Sequence, residues 1–134
     1  MLVLTRRTTL ALGAAGLLSV SACGSAPPAA PGDATADETL VEEVVAQITA
    51  TATVAAGVPR LAALHAAHLE ALGAPAPAVS GATATDAQVR TAERGLQRHL
   101  VDAALRAESG PLARLLASMS AAISQQLALP GRPA

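Results

Sequence analysis

Residues 85–129 read TDAQVRTAERGLQRHLVDAALRAESGPLARLLASMSAAISQQLAL, and their spacing decides the fold. Val89, Ala92, Leu96, Leu100 and Ala103 recur every three or four positions, as one side of an α-helix requires. Thr85-Asp86-Ala87-Gln88 in front of them has the form of a capping box, in which the threonine and glutamine satisfy backbone donors that a helix start leaves unpaired. Ser109-Gly110-Pro111 interrupts the pattern, since proline suits a first helical turn and resists an interior one. Leu112, Leu116, Met119, Ile123 and Leu127 then form a second stripe, which Pro130 closes. Two amphipathic helices joined by a short break predict a helical hairpin, over about 86–108 and 111–128.

Upstream, Thr35-Ala36-Asp37-Glu38 is a second capping box, followed by Val41, Val44, Ile48, Ala52 and Ala55 at helical spacing. Gly57 and Pro59 predict a break between helices at about 36–56 and 59–72, although one long kinked helix is the alternative. Gly73 and the following Pro- and Ala-rich run end the second helix, and residues 73–84 read as a loop. No strand periodicity competes. The expected fold is all-α, an antiparallel up-down-up-down four-helix bundle spanning 35–129, with a short tail at 130–134. Without aromatic residues, its core must be built from Leu, Val, Ile, Met and much Ala. Alanine buries little area, so a thin core of modest stability follows.

The first residues, MLVLTRRTTLALGAAGLLSVSAC, set the basic pair Arg6 and Arg7 before an uncharged run too short to span a bilayer as a stable helix. That layout reads as a cleaved signal peptide over 1–22. Val20-Ser21-Ala22-Cys23 resembles the lipobox of bacterial lipoproteins, which implies diacylglycerol on the Cys23 thiol and a mature chain beginning there. An ordinary secretory signal with a free thiol, or a retained apolar anchor, is the alternative. Thr5-Arg6-Arg7-Thr8-Thr9-Leu10 resembles a twin-arginine export signal, although Thr9 stands where such signals carry a large apolar residue. Export through the general secretory route stays open. Gly24 to Ala34 is Pro-, Gly- and Ala-rich and reads as a disordered linker. Lipidation consumes the only cysteine, so neither a disulfide nor a reactive thiol is expected. Two acyl chains give stable attachment and place the domain at the cell membrane, on its extracytoplasmic face.

LAALHAAHLEALG from Leu61, AERGLQRHL from Ala92 and ALRAESGPLARLLASMSAAISQQLA from Ala104 are similar to small alanine-rich lipoproteins of actinobacteria with a ferritin-like helical domain. The resemblance implies a ferritin-like bundle. It does not carry over a di-iron centre, because the Glu-x-x-His motif of ferritin-like carboxylate proteins is absent from the chain.

His65 and His68, three apart, can face one side of the second helix and share a metal such as zinc or copper, with Glu70 close in sequence and His99 reaching across from the third helix. Ordinary structural histidines are the competing reading. Arg90, Arg94, Arg98 and Arg106 can meet anionic headgroups, against a solvated face in which Asp102 pairs with Arg98 and Arg106. Ser118, Ala121, Ser124 and Gln125 form a small neutral side of the fourth helix, suited to a second copy or another envelope protein. Without residues 1–22, seven arginines stand against ten acidic groups, a net charge of −3 that argues against nucleic acid. No Gly-x-Ser-x-Gly elbow, cysteine nucleophile or phosphate-binding glycine loop points to catalysis, and no enzyme is expected. The expected role is that of a binding or structural component of the envelope, with a small metal-binding protein as the alternative.

Overall fold

The computed structural model describes residues 35–78 and 84–129. Within them lie four helices, α1 (Ala36–Val54), α2 (Pro59–Ala71), α3 (Asp86–Arg106) and α4 (Gly110–Ala128), an all-α four-helix bundle. The expected leader with Arg6 and Arg7, the expected lipid acceptor Cys23, the expected linker to Ala34 and the tail at 130–134 lie outside the described residues.

Local chemistry sets the helix ends. Both capping boxes form: Thr35 accepts from the Glu38 backbone while Glu38 reaches back to the Thr35 backbone, and Thr85 and Gln88 do the same for α3. α1 stops at Val54 and α2 starts at Pro59, so the chain breaks here and does not run on as a kinked helix. At the end of α2, Gly73 adopts φ +73°, a left-handed conformation that glycine takes without steric penalty. The turn is closed by Ala74 donating to the Leu69 carbonyl and Gly73 to that of Glu70.

The main core joins Leu40, Val44 and Ile48 of α1, Leu69 of α2, Leu96, Leu100 and Ala103 of α3, and Leu116, Met119 and Ile123 of α4. A smaller apolar cluster of Ala55, Leu61 and Val89 closes one end. At the other end, Asp37 in the first turn of α1 accepts from the backbone N–H groups of Glu108 and Ser109, pinning the start of α1 to the α3–α4 turn. α3 packs most extensively on α4 and next on α1, and α1 packs on α2.

These contacts fix the helix directions. α1 starts where α3 ends, so those two are antiparallel, and the α3–α4 hairpin is antiparallel as well. α2, turned back by the short break at 55–58, runs against α1 and therefore alongside α3 in the same sense. The register agrees: Leu61 clusters with Val89, and one turn further His65 meets Glu93, both 28 residues apart. Closely packed neighbours are thus antiparallel, but the order along the chain is up, down, down, up, in place of the strict alternation expected. Residues 72–85 join opposite ends of the bundle, a link long enough to traverse α3's ~30 Å. One long crossover of this kind is one of the established connectivities of four-helix bundles.

Candidate functional site

The polar centre of the bundle is built from α2 and α3. On α2, Leu61, His65, His68 and Leu69 face inward, and on α3 Val89, Glu93, Leu96, Leu100 and Ala103 do so. His65 is 0% and Glu93 2% exposed, and a 2.7 Å contact joins His65 Nε2 to Glu93 Oε1. α2 and α3 have little direct backbone contact, so the two side chains meet by reaching into the core. His68 lies edge-on to His65, with ring centroids 6.2 Å apart and planes at 64°.

This cluster is incompletely satisfied. His65 Nδ1, His68 Nδ1 and Glu93 Oε2 are buried with no hydrogen-bond partner among the described residues. A buried polar atom left unpaired costs about 1–3 kcal/mol, and three in one place are a conspicuous exception. Burial pushes the His68 imidazole down to about 4, the nearby His65 adds to the effect, and Glu93 opposes it. At neutral pH His68 is therefore uncharged and keeps a lone pair, the form in which imidazole binds a metal or accepts a proton. As they stand, no three His, Cys, Asp or Glu side chains among the described residues converge in a metal-holding group.

Of the residues singled out in the sequence, His65 and His68 are brought together. His99 is not brought to them: it lies on the α1–α3 flank, its Nε2 3.5 Å from Glu43 Oε1, too far for a good hydrogen bond. Glu70 is exposed, on the far side of α2 from the buried histidines. Glu93 is the carboxylate at the centre, and the sequence reading passed over it. Its place four residues after Val89 and three before Leu96 puts it in line with the apolar stripe, and that was the available signal.

Arg106 does not pair with Asp102. It donates from both terminal guanidinium nitrogens to the Glu43 carboxylate of α1, at 3.0 and 2.9 Å, the two-pronged geometry of the stronger ion pairs. That pairing holds the Glu43 carboxyl below its ordinary value. On α4, Ser118, Ala121 and Gln125 are exposed, whereas Ser124 is turned inward and accepts from Gln97 Nε2 at 2.9 Å. Ser120, also on this side, donates to the Gln97 carbonyl at 3.4 Å, so part of the small-residue surface serves the close approach of α3. No family model, no curated protein and no solved structure matches this chain.

Proposed function

We propose that the protein is an extracytoplasmic lipoprotein, held to the membrane by diacylglycerol on Cys23, whose helical bundle is a binding or structural component of the envelope. The observation that carries this reading is Val20-Ser21-Ala22-Cys23 placed directly after a basic pair and an uncharged run. Its likeness to small actinobacterial lipoproteins with ferritin-like domains accords with the single long crossover of the bundle. No helix among the described residues is long and apolar enough to cross a membrane, and in this reading attachment rests on the lipid. A binding or structural role is favoured over catalysis because the cluster of titratable groups in the core of the described residues is sealed from solvent, with His65 and Glu93 at most 2% exposed. The exposed Ser118, Ala121 and Gln125 offer a small neutral face to a second copy or an envelope protein. Cys23→Ser tests the anchor: the protein should move from the membrane to the soluble fraction, and intact mass of the unsubstituted protein should show acyl chains. Unchanged fractionation together with an unmodified thiol would end the proposal. Replacing Arg6 and Arg7 with lysines should block export if the twin-arginine route is used and have little effect on the general route.

A second reading has its own observation. The unpartnered atoms of His65, His68 and Glu93 are nitrogen and oxygen donors suited to zinc or copper, with Glu93 taking the place that His99 and Glu70 held in the sequence. Metal analysis of the purified protein, and its melting with added zinc or copper, test this. A bound ion at one hundred times its Kd would add about 2.7 kcal/mol to stability. An unchanged melting temperature and no stoichiometric metal would exclude it.

A further inference from the structure

α3 turns a chemically mixed stripe to solvent. Arg90, Arg94, Arg98, Val101 and Leu105 are spaced by four, four, three and four residues, which places them within about 80° of arc on the side away from the buried Leu96 and Leu100. Leu105 is 81% and Val101 43% exposed; among the described residues only Leu129 is a further exposed large hydrophobic. Arg90, Arg94 and Arg98 are exposed and form no ion pair among the described residues, whereas Arg106 is taken up by Glu43.

We infer that this face of α3 is where the tethered domain lies on an anionic bilayer, the three guanidinium groups on lipid phosphates and Val101 and Leu105 in the headgroup–acyl boundary. The long arginine stems can carry their charged heads to the phosphates while neighbouring large apolar side chains enter the headgroup–acyl boundary, so basic and apolar groups can share one membrane-facing side. The inference rests on the lipid-anchor reading, because the tether supplies the proximity. Asp37 bonds the backbone at Glu108 and Ser109, so Leu105 sits at the end of the bundle from which the chain leads back to Cys23. The twelve steps from Cys23 to Thr35 reach at most ~40 Å, more than the ~30 Å length of α3, so the whole helix can lie flat. With residues 1–22 removed the net charge is −3, so attraction must come from this local stripe, act within a Debye length and weaken with salt. Asp102, exposed at the edge of the stripe, sets its limit on one side. Each arginine should favour the face-down orientation about fivefold, and the three together about a hundredfold.

The absence of Trp, Tyr and Phe makes a single tryptophan an unambiguous probe. The lipidated full chain carrying Leu105→Trp would be reconstituted in protein-free phosphatidylglycerol vesicles and in phosphatidylcholine vesicles, with Ala67→Trp on the exposed side of α2 for comparison. Expected are a shift of Leu105→Trp emission to shorter wavelength and quenching by brominated acyl chains, in phosphatidylglycerol at low salt only, with Ala67→Trp unmoved. Arg90→Gln, Arg94→Gln and Arg98→Gln together should abolish the shift while helical circular dichroism is kept. The inference is overturned if both tryptophans emit as in water, if the shift is equal in phosphatidylcholine or survives the three Gln substitutions, or if it occurs only in native membranes, which would assign the face to a protein. Intact mass of the same sample reads Cys23 separately. An unmodified thiol ends the anchor reading, and flotation of that sample with phosphatidylglycerol vesicles still reads the α3 face.

Discussion

Glu93 occupies a position where the spacing of α3 asks for an apolar side chain, and its partner His65 is fully buried on another helix. Removing one member of such a pair leaves the other unpaired in the core. Glu93→Leu and His65→Leu should each lower stability by roughly 1–3 kcal/mol. The double variant His65→Leu/Glu93→Leu should be more stable than the sum of the single losses predicts, since apolar residues replace both partners. Urea unfolding of the four proteins checks this, and strict additivity would show that the contact contributes nothing. His68 makes a pH prediction. Its imidazole is pushed from 6.5 down to about 4 by burial, so between those values the unfolded chain binds a proton that the folded chain refuses. Stability is therefore full above pH 6.5 and falls as the pH drops toward 4, by ~2 kcal/mol once partial screening by solvent is allowed for. Thermal melts of the native protein and of His68→Met across that range should show a flatter profile for the variant.

At the scale of the element, the helix starts were the most legible features. Thr35 and Thr85 are each followed three residues later by a side chain that completes a reciprocal pair, and this chemistry is local in sequence. Thr35→Ala and Thr85→Ala should each cost about 1 kcal/mol, and because they cap opposite ends of the bundle their effects should add within about 0.5 kcal/mol. Denaturant midpoints of the single and double variants test both statements. Asp37 carries a further, non-local role. Its carboxyl is held below the ordinary 3.8 by the Ser109 side chain and by the Glu108 and Ser109 backbone donors. The stabilisation it gives is present above that value and is lost as the pH falls through the lowered one. Nothing in the first turn of α1 reveals that bond, because its partners lie more than seventy residues away.

The whole molecule is where the chain's reading and its folding part company. Two chain orders satisfy the same helix stripes, strict alternation and one long crossover, because amphipathic spacing states which face is buried and not against which neighbour. The structure selects the crossover, with Leu61 beside Val89 and His65 beside Glu93. Spin labels at Arg60→Cys and Gln88→Cys, both exposed, should therefore lie closer together than labels at Arg60→Cys and Glu108→Cys, which are separated along the bundle by ~30 Å. Strict alternation would reverse that order. The all-α class, the two capped starts and the break between α1 and α2 were set by the sequence alone, because capping, proline and glycine chemistry and helical periodicity act within a few residues. The helix order, the meeting of His65 with Glu93, the diversion of Arg106 to Glu43 and the exposure of Val101 and Leu105 beside the arginines of α3 were decided only by tertiary structure. Each depends on which segments, distant along the chain, share the core, and that choice is made by the packing of the assembled bundle.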